Sequence, residues 1–510
     1  MQIANISPSM KKMLLCIILS MVCNYVISAE KLPVDTVPVQ DSIAMPSQPC
    51  DTVVVSPRPW RALGEMMVTN GVIHLLGRYV LNETFSQTTL NSIRHNFKSG
   101  FAWDDDNFYV NNIGHIYQGG LYFNAARSNG MGFWKSIPYT LAGSLTWEFF
   151  AETEQPSIND VITTTMAGTM MGEVSYRISK HFIDEHERGS KRFLNEAIAC
   201  FFNPIEGFHR LFSGRLWKVR NPMDNYGACQ EKRNAVATFE VGARGVWASG
   251  DFNRCTWQPS LSFGIEYGQV ADGETHLKPY DFFDFNIRLA FGRKQHMVSH
   301  FDLEGRLCST PAMTSKKARG ELGLYQFFHY EDTRIPGDST KSVFPFGEMV
   351  SVGPGLLLSF PQLAPRVKME QRLYLKGVLL GGVNSDYYHY YNRTYNMGSG
   401  WGALANSRLT WENVGSMNLR LHYMHLFTWK GYEPRSLSEE SVFDNNYLNV
   451  LGDKSDARVL SIQLHGKACL SKSMGLLLGA SYYSRHTHYE YHPNKRTENF
   501  EMRAGMEWCF

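Results

Sequence analysis

The sequence predicts a mainly β protein: an antiparallel transmembrane β-barrel of about 12 strands, preceded by an α-helical region that would act as a plug or cap. Three observations predict this fold class. Apolar and polar residues alternate with a period of two from Asn234 to the end of the chain. The alternation finishes on an aromatic carboxyl-terminal residue, Phe510. The composition, 13% aromatic with 43 glycines, suits strands and the aromatic girdles of membrane barrels.

Composition limits the classes of function. With 43% hydrophobic and 19% charged residues and a mean hydropathy of −0.28, the chain does not resemble a polytopic helical membrane protein. Its 50 Lys and Arg against 48 Asp and Glu give a net charge of +2, which is too balanced for a dedicated nucleic-acid binder. We therefore expect no nucleic-acid partner.

The amino terminus predicts secretion. Lys11 and Lys12 precede an apolar run over residues 13–22, and Ala29 offers a small residue for cleavage, so residues 1–29 are interpreted as a signal peptide. After it, no stretch supplies the ~18 uninterrupted apolar residues that a single membrane-spanning helix needs. The expected location of the mature chain is the cell outer membrane.

Residues 30–59 predict a flexible linker, because prolines recur among Val, Asp, Ser and Thr. Within it, the segment from Asp51 to Val55 resembles the short box through which large outer-membrane transporters bind an energy-transducing protein by strand addition. The chain is short for the 22-stranded barrel of such transporters. An energy-transducing partner is accordingly kept only as a third hypothesis.

Residues 60–215 predict helices that carry polar motifs. Apolar residues recur at spacings of three and four, as in Val161, Ile162, Met166 and Met170. A helix should start near Ser157, which can cap free N–H groups while Asp160 completes a capping box. The same helix carries Gly168 and Gly172, which leave one face bare enough for close contact with another backbone.

Residues 234–510 predict the barrel. About twelve alternating segments can be counted, an even number as bacterial barrels require. They start near Asn234, Trp257, Asp281, His296, Lys317, Phe346, Val367, Gly400, Ser416, Asp456, Met474 and Thr497.

Connections should alternate between long and short. The longer loops are expected at residues 393–396 and 431–454. Tight turns are expected at residues 294–295, 414–415 and 472–473. If both ends of the barrel are periplasmic, the turns after even-numbered strands should be the short ones.

The last strand has the most specific pattern. Alternate apolar or small residues run to the chain end, and they resemble the strand by which the barrel-assembly machinery recognises its clients; outer-membrane lipid and that machinery are the expected partners. The residues of this assembly signal are Phe500, Met502, Ala504, Met506, Trp508 and Phe510.

The inward face of the barrel should carry acids and bases together. These residues include Glu240, Arg244, Glu266, Asp284, Arg288, Glu304, Arg306, Arg372, Lys376, Arg408, Arg420, His465, Glu501 and Arg503. A wide lumen would display them as a selectivity surface, whereas a narrow lumen would pair them into a salt-bridge network. Twelve strands lie between these regimes, so both alternatives stay open.

The helical region holds the candidate catalytic residues His115, Glu148, Glu152 and Asp160. An imidazole with several carboxylates provides the materials of a general acid–base pair. Glu148 and Glu152, four residues apart, should share one helix face. In the alternative interpretation, Asp160 is a cap and the glutamates are solvated or paired charges.

Candidate binding residues in the same region are Arg127, Asn159 and Glu173. No spacing forms a defined metal motif, and the cysteines left after signal removal are scattered without a C-x-x-C pair. No metal or cofactor is expected. A bridge from Cys229 to Cys255 is conceivable, but small apolar filler is the favoured interpretation of these cysteines.

Several short motifs together resemble a domain-of-unknown-function family of Bacteroides-type outer-membrane proteins. They are Gly114-His115-Ile116-Tyr117-Gln118-Gly119, Ala126-Arg127-Ser128-Asn129-Gly130, Trp147-Glu148-Phe149-Phe150, Pro156-Ser157-Ile158-Asn159-Asp160 and Gly172-Glu173. The resemblance implies a location and no activity. The order of His, Glu and Asp is also loosely similar to that in membrane-associated families of the glycopeptide-resistance accessory type, and no catalytic role follows from it.

Two main functional hypotheses remain. The first is a non-enzymatic outer-membrane channel or scaffold with the helical region as plug or cap. The second is a membrane-embedded enzyme that modifies lipid or envelope components, based on His115, Glu148, Glu152 and Asp160. Fold analogy alone does not choose between them.

Overall fold

The computed structural model describes residues 56–103, 106–219, 234–250, 252–292, 296–334, 345–389, 394–433 and 450–510. The signal peptide, most of the linker, the Asp51 to Val55 segment, Cys229 and the turn expected at residues 294–295 lie outside this part of the chain. The described residues fall into two compact units, one comprising residues 58–175 and 234–510 and the other residues 176–219. Within these ranges, no helix has both the length and the apolar character needed to cross a membrane.

Twelve antiparallel strands form one closed barrel in which each strand pairs with its sequence neighbour, and β1 and β12 complete the ring. The strands are β1 (Ala235–Ala248), β2 (Thr256–Tyr267), β3 (Phe283–Ala290), β4 (Val298–Thr314), β5 (Arg319–Asp332), β6 (Pro345–Ala364), β7 (Val367–Asn384), β8 (Tyr395–Trp411), β9 (Gly415–Thr428), β10 (Ser455–Cys469), β11 (Met474–Tyr489) and β12 (Lys495–Cys509). Every strand starts within five residues of its predicted position. The predicted fold class is thus confirmed.

Short and long connections alternate as expected. The turns that follow β4, β6, β8 and β10 have four residues or fewer, whereas β5, β7 and β9 lead into longer connections. The one exception among even-numbered strands is β2, which is followed by residues 268–282. The loop expected at residues 393–396 is wrong in part, because Tyr395 and Asn396 already belong to β8, where Asn396 pairs with Val383 of β7.

The helical region comprises α1 (Pro59–Leu75), α2 (Leu90–Ser99), α3 (His115–Ser128), α4 (Phe133–Thr146), α5 (Ile158–Phe182), α6 (Gly189–Phe202) and α7 (Pro204–Phe212). Wider π-helical turns lie at Leu76–Leu81, Val110–Gly114 and Trp147–Ala151. In the unit of residues 176–219, Arg210 holds α6 and α7 together through Glu196, 2.6 Å away.

Helices α3 and α5 cross at glycines. A Cβ atom built on Gly119 would lie 1.9 Å from the carbonyl oxygen of Thr164, and one on Gly168 would lie 2.5 Å from the Cα of Gly119. One on Gly172 would lie 2.7 Å from the Cβ of Phe123. The bare helix face predicted from Gly168 and Gly172 is therefore confirmed as a close helix contact.

The two faces of the barrel wall are distinguished on β5. Leu322 and Leu324 are exposed, while the alternate residues Glu321 and Tyr325 are buried on the inner side. Because side chains alternate strictly along a strand, Gln326 and the later even-numbered residues of β5 also point away from the lumen.

The helices of residues 58–175 pack against this outer face. Gln326 Nε2 donates to the carbonyl oxygen of Met166 in α5 at 3.2 Å. Phe108 stacks on Tyr330 with ring centroids 5.9 Å apart and meets Tyr395 of β8 edge-on at 5.3 Å. The expectation of a plug is thus wrong, because these helices lie alongside the wall and not within the lumen.

Contacts near Tyr280, before β3, extend this lateral packing towards the other end of the barrel. The ring of Phe133 lies 5.5 Å from that of Tyr280, whose hydroxyl donates to Gln326 at 3.1 Å. The outward side chains Phe285, Phe301 and Leu303 are almost fully buried. The helices therefore run along the wall rather than over one mouth.

Candidate functional site

Two π-helical turns frame the candidate site in the helical region. Val110–Gly114 directly precedes His115 at the start of α3, and Trp147–Ala151 contains Glu148 at the end of α4. A π turn is uncommon and is often found where a side chain must be re-aimed for function. Both turns lie at the helix ends that meet the start of α5.

His115 is buried beside two carboxylates. Its Nε2 lies 3.4 Å from Oδ1 of Asp160 and 4.0 Å from Oδ2 of Asp106. Asp160 also accepts from the side-chain amide of Asn159 at 2.9 Å.

Glu148 and Glu152 have different surroundings. Glu148 is buried and accepts from the backbone N–H of Ser157 at 2.7 Å. It therefore binds the N–H group that a capping box would have assigned to Asp160, and Ser157 Oγ accepts from the N–H of Asp160 at 3.4 Å.

Glu152 lies just beyond the helix in extended backbone and accepts from the indole N–H of Trp147 at 2.5 Å. The expectation that Glu148 and Glu152 share one helix face is wrong, because the helix widens at Trp147 and ends at Ala151. Burial, with the Asp160 carboxylate adding repulsion, raises the pKa of Glu152 to about 8. Glu152 is thus a carboxylic acid that can donate a proton near neutral pH.

Arg127 and Glu173 form a separate site. Arg127 Nε donates to Glu173 at 2.7 Å and its Nη2 donates to the other oxygen at 3.0 Å. This bidentate pair joins the carboxyl-terminal part of α3 to α5, away from His115. The structure thus brings together His115, Glu148, Glu152, Asn159 and Asp160, and leaves Arg127 and Glu173 apart.

Sequence reasoning missed the link from this cluster to the barrel. Asn111 accepts from Asn159 at 2.8 Å through its Oδ1 and donates from its Nδ2 to the hydroxyl of Tyr395 at 2.8 Å. That hydroxyl donates in turn to the carbonyl oxygen of Asp106 at 2.9 Å. The consecutive Asn111 and Asn112, in an otherwise apolar stretch, were the available signal.

The lumen contains a second group of charged residues, which are paired across it. Arg372 on β7 reaches Glu266 on β2 and Asp284 on β3, each at 2.8 Å. Arg420 on β9 reaches Asp302 on β4 at 2.7 Å. β7 and β2, like β9 and β4, are five strands apart around the ring, so these bonds span the lumen.

Nearer the seam, Glu501 binds Arg244 at 2.8 Å and Arg288 at 3.3 Å. Towards the long connections, Glu348 binds Lys376 and His422, each at 2.6 Å. Of the two interpretations left open by the sequence, the described lumen fits the paired network.

An apolar layer on β6, β7, β9, β10 and β11 lines the end of the lumen nearest the long connections. It is formed by Phe346, Val378, Val383, Met424, Leu426, Ala457, Val459 and Tyr483, which are at most 3% exposed. A cavity of about 530 Å³ is lined by members of these ion pairs, such as Arg288, Asp302 and Arg408. Its lining reaches Asn413 in the short turn after β8 and Cys509 at the end of β12. The lumen is therefore cup-shaped, with its cavity towards the short turns.

One further cluster has side chains of metal-ligand type. Asp272, His276 and Glu321 place one ligand atom each within 4.8 Å of one another. Arg306 already binds Glu321 at 2.8 Å, and Asp272 binds His276 at 2.8 Å. These contacts give the cluster a structural role in holding the connection after β2 against the barrel.

Comparison with known proteins supports the resemblance found in the motifs. Residues 100–205 match the model of a family described as a domain of unknown function (DUF3943). This segment contains every candidate residue of the helical region, from His115 to Glu173. No curated protein matches the chain.

Among the solved structures that resemble part of the chain are a porin, an iron transporter and an outer-membrane channel. The NanC porin shares 8% identity over 52% of this chain and 98% of its own, with a TM-score of 0.25. The FrpB iron transporter from Neisseria meningitidis shares 11% identity over 53% of this chain and 45% of its own, with a TM-score of 0.25. The channel DcaP of Acinetobacter baumannii shares 10% identity over 54% of this chain and 96% of its own, with a TM-score of 0.21.

Proposed function

We propose that this chain is an outer-membrane β-barrel that acts as a membrane scaffold for its helical region and is closed to the passage of solutes. The carrying observation is the pairing of charges across the lumen, above all Arg372 with Glu266 and Arg420 with Asp302. The apolar layer around Phe346 adds a second barrier. An ion that crossed would have to break buried charge pairs and pass a layer that offers it no solvation.

The orientation of the cup follows from the connections. In bacterial outer-membrane barrels, short turns face the periplasm and longer loops face the outside. The cavity near Asn413 would then be open to the periplasm, and the apolar layer would face outwards. The carboxyl-terminal strand would direct assembly, with the barrel-assembly machinery as the partner.

Planar-bilayer recording tests the closed lumen. Purified, folded protein should give no steady conductance steps. A variant with Phe346, Met424 and Leu426 replaced by glycine and with Arg372→Ser should conduct, because both barriers are weakened. A steady ohmic conductance from the unchanged protein would overturn the proposal.

A second function is supported by the convergence of predicted residues. His115, Asp160 and Glu152 form a buried acid–base group in a region that packs on the outer wall of a membrane barrel. We propose, as the second candidate, proton-transfer chemistry on a lipid or other envelope component.

The energy-coupled importer remains a prediction based on the Asp51 to Val55 segment, which a pull-down with the energy transducer would test.

The second candidate is tested by lipid profiles of cells that carry His115→Ala or Asp160→Asn. We expect the same change in the profile from both variants. His486→Ala, an exposed histidine on β11, is the matched control and should leave the profile unchanged. Unchanged profiles in all three strains, with the barrel folded, would remove the enzymatic candidate.

A further inference from the structure

Helices of residues 59–151 have an inverted distribution of polarity. Helix α2 exposes the polar side chains of Asn91, Arg94, His95 and Lys98 beside Leu90 and Phe97. In the other helices the exposed side chains are largely apolar or aromatic: Trp60, Met67, Val68, Val72, Leu75, Leu76, Tyr79, Val80, Leu81, Tyr117, Trp134, Leu141 and Phe150. The buried side chains of residues 59–151 include many polar ones: Thr69, Asn70, Asn96, Asn111, Asn112, His115, Asn124, Ser136, Thr140, Ser144 and Glu148. A helix bundle in water has the opposite arrangement, and a contiguous exposed apolar surface marks a contact with something apolar.

The buried polar groups are joined within the bundle. Asn70 Nδ2 donates to the carbonyl oxygen of Gly143 at 3.0 Å, and the hydroxyl of Tyr122 donates to Asn70. Asn124 Nδ2 donates to Ser175 at 2.8 Å. Interhelical hydrogen bonds and close glycine contacts such as Gly119 against Gly168 associate helices where there is no water to drive them together.

The exposed stripe has the length of a membrane interior. Trp60 and Tyr79 lie at opposite ends of α1 and its π-helical extension, and both are strongly exposed. Tyr79 is nineteen positions after Trp60, about 28 Å at the rise of an α-helix, close to the ~30 Å of a hydrocarbon core. Val68 and Val72 lie between them. Aromatic residues at both ends of an apolar stripe are typical of interface anchors.

Charged residues are placed at the ends of the stripe. Arg61 is next to Trp60 and pairs with Glu65 at 2.9 Å, whereas Arg78, next to Tyr79, donates to the carbonyl oxygen of Thr88 at 3.0 Å. Long basic side chains at helix ends can extend towards the interface while the middle of the helix contacts lipid.

The position of the bundle identifies the occupant of this surface. It covers outward residues of the barrel, such as Phe301 and Tyr330, that a bilayer would otherwise cover. Other outward residues of the wall, such as Leu375 on β7 and Leu478 on β11, are exposed and apolar. The exposed surface of the helices and the exposed outer face of the barrel thus form one continuous apolar surface.

From this continuity we propose that the helices of residues 59–151 are embedded in the outer membrane beside the barrel, with their exposed stripe in contact with lipid acyl chains. The proposal rests on the membrane location of the barrel proposed above. It also explains why no described helix is apolar enough to span a membrane alone. Only the exposed stripe of each helix contacts lipid, and the faces turned towards the barrel and the other helices are polar.

Photocrosslinking in cells tests this contact with the full chain. The photoreactive residue p-benzoylphenylalanine is placed at position 68 and, in separate strains, at position 478 on the barrel wall and position 414 in the turn after β8. Position 478 should yield lipid adducts if the barrel is in the membrane. We expect position 68 to yield adducts of the same mass and position 414 to yield none.

The outcomes separate the two proposals. Adducts at neither 68 nor 478 would reject the membrane barrel itself. Lipid adducts at 478 with none at 68 would reject the embedded helices alone, and a crosslinked dimer or a foreign protein at 68 would assign the stripe to a second copy or to another partner.

A matched pair of substitutions gives an independent test. Val68 and Val414 are 64% and 66% exposed, so Val68→Asp and Val414→Asp change equally accessible side chains. A charge facing lipid is strongly unfavourable, whereas a charge facing water is not. We expect Val68→Asp to lose most of the folded, membrane-integrated protein and Val414→Asp to match the unchanged chain; equal yields would contradict the proposal.

Discussion

At the scale of single residues, the surroundings give two nearby glutamates different roles. Glu148 accepts a backbone N–H at the start of α5, so its charge is stabilised by a donor in the helix amino terminus. Glu152 is partly buried and faces further carboxylates, so its charged form is unfavourable. The candidate site therefore holds one glutamate bound to a backbone donor and one whose protonated form is favoured.

Glu152→Gln should remove a titration near neutral pH. Because the folded state raises the pKa of Glu152 to about 8, the stabilisation due to its protonated form is complete below the unfolded pKa and is lost as the pH rises through about 8. Infrared difference spectra of the unchanged protein should lose a carboxylic-acid carbonyl band over that range. The component of that band that titrates near pH 8 should be absent in Glu152→Gln and retained in Glu154→Gln; its persistence in Glu152→Gln would assign the proton elsewhere.

At the scale of elements, two features depend on very short distances between backbones. One is the crossing of α3 and α5, where Gly119 and Gly168 leave no space for a side chain. The other is the closure of the barrel, where the backbone of Phe510 exchanges hydrogen bonds with Ala237 at 2.9 and 3.2 Å. A change at Gly168 should therefore affect the packing of two whole helices, and a change at Phe510 should affect closure of the whole barrel.

Gly168→Ala should destabilise the helix crossing by about 1 to 3 kcal/mol, because the added methyl group meets the backbone of Gly119. Hydrogen exchange of the α3 and α5 amides measures the effect. The control is Gly71→Ala in α1, where a Cβ meets nothing within 4 Å and the substitution should stabilise by about 0.5 to 1 kcal/mol. Equal exchange rates in the two variants would contradict the close crossing.

Deletion of Phe510 should slow barrel assembly. The deletion removes both hydrogen bonds to Ala237 and the last residue of the predicted assembly signal. The fraction of heat-modifiable, folded protein in the membrane measures the effect, and Phe510→Trp, which keeps an aromatic terminus, should restore most of it. Full assembly after the deletion would remove the signal role of this residue.

At the scale of the whole molecule, charge pairs bind opposite walls of the barrel together. Arg372 is almost fully buried and holds Glu266 and Asp284 from across the lumen. Removing one partner of a buried charge pair leaves the other uncompensated, which costs about 3 to 5 kcal/mol. The barrel is thus stabilised across its diameter as well as around its circumference.

Arg372→Met should lower the temperature at which the barrel loses its folded mobility on a gel, and it should not create a conductance, because the apolar layer remains. Arg496→Met is the control, since its side chain is exposed and pairs with Glu498 at the surface. An unchanged unfolding temperature for Arg372→Met would contradict a stabilising role for the cross-lumen pairs.

The sequence predicts the strands well and the packing of the helices poorly. Strand starts follow from a local repeat of two residues, so the start of β7 at Val367 can be located without knowing its partners. The pairing of Arg372 with Glu266 joins residues 106 apart and is set by barrel closure, which no local pattern reports. Tyr330 and Tyr395 look like any other aromatic residues of a barrel wall, so their contact with Phe108 could not be predicted.

The residues of the candidate site could be predicted from the sequence, but their arrangement in space could not. His115, Asn159 and Asp160 stand out as polar residues within apolar helices, and they do converge. The π-helical turns that separate Glu148 from Glu152 leave no recognised mark in a sequence, so the shared helix face was the default expectation.

The lateral position of the helices has a consequence for the order of assembly. Their described contacts lie on the connection before β3, on β5 and on β8. β5 and β8 are each four strands away from the seam between β1 and β12. The seam is where a growing barrel must stay open until its last strand arrives, and the contacts named above are with other parts of the wall. The amino-terminal helices, made first, can therefore dock on strands made midway through synthesis while the ring is still open.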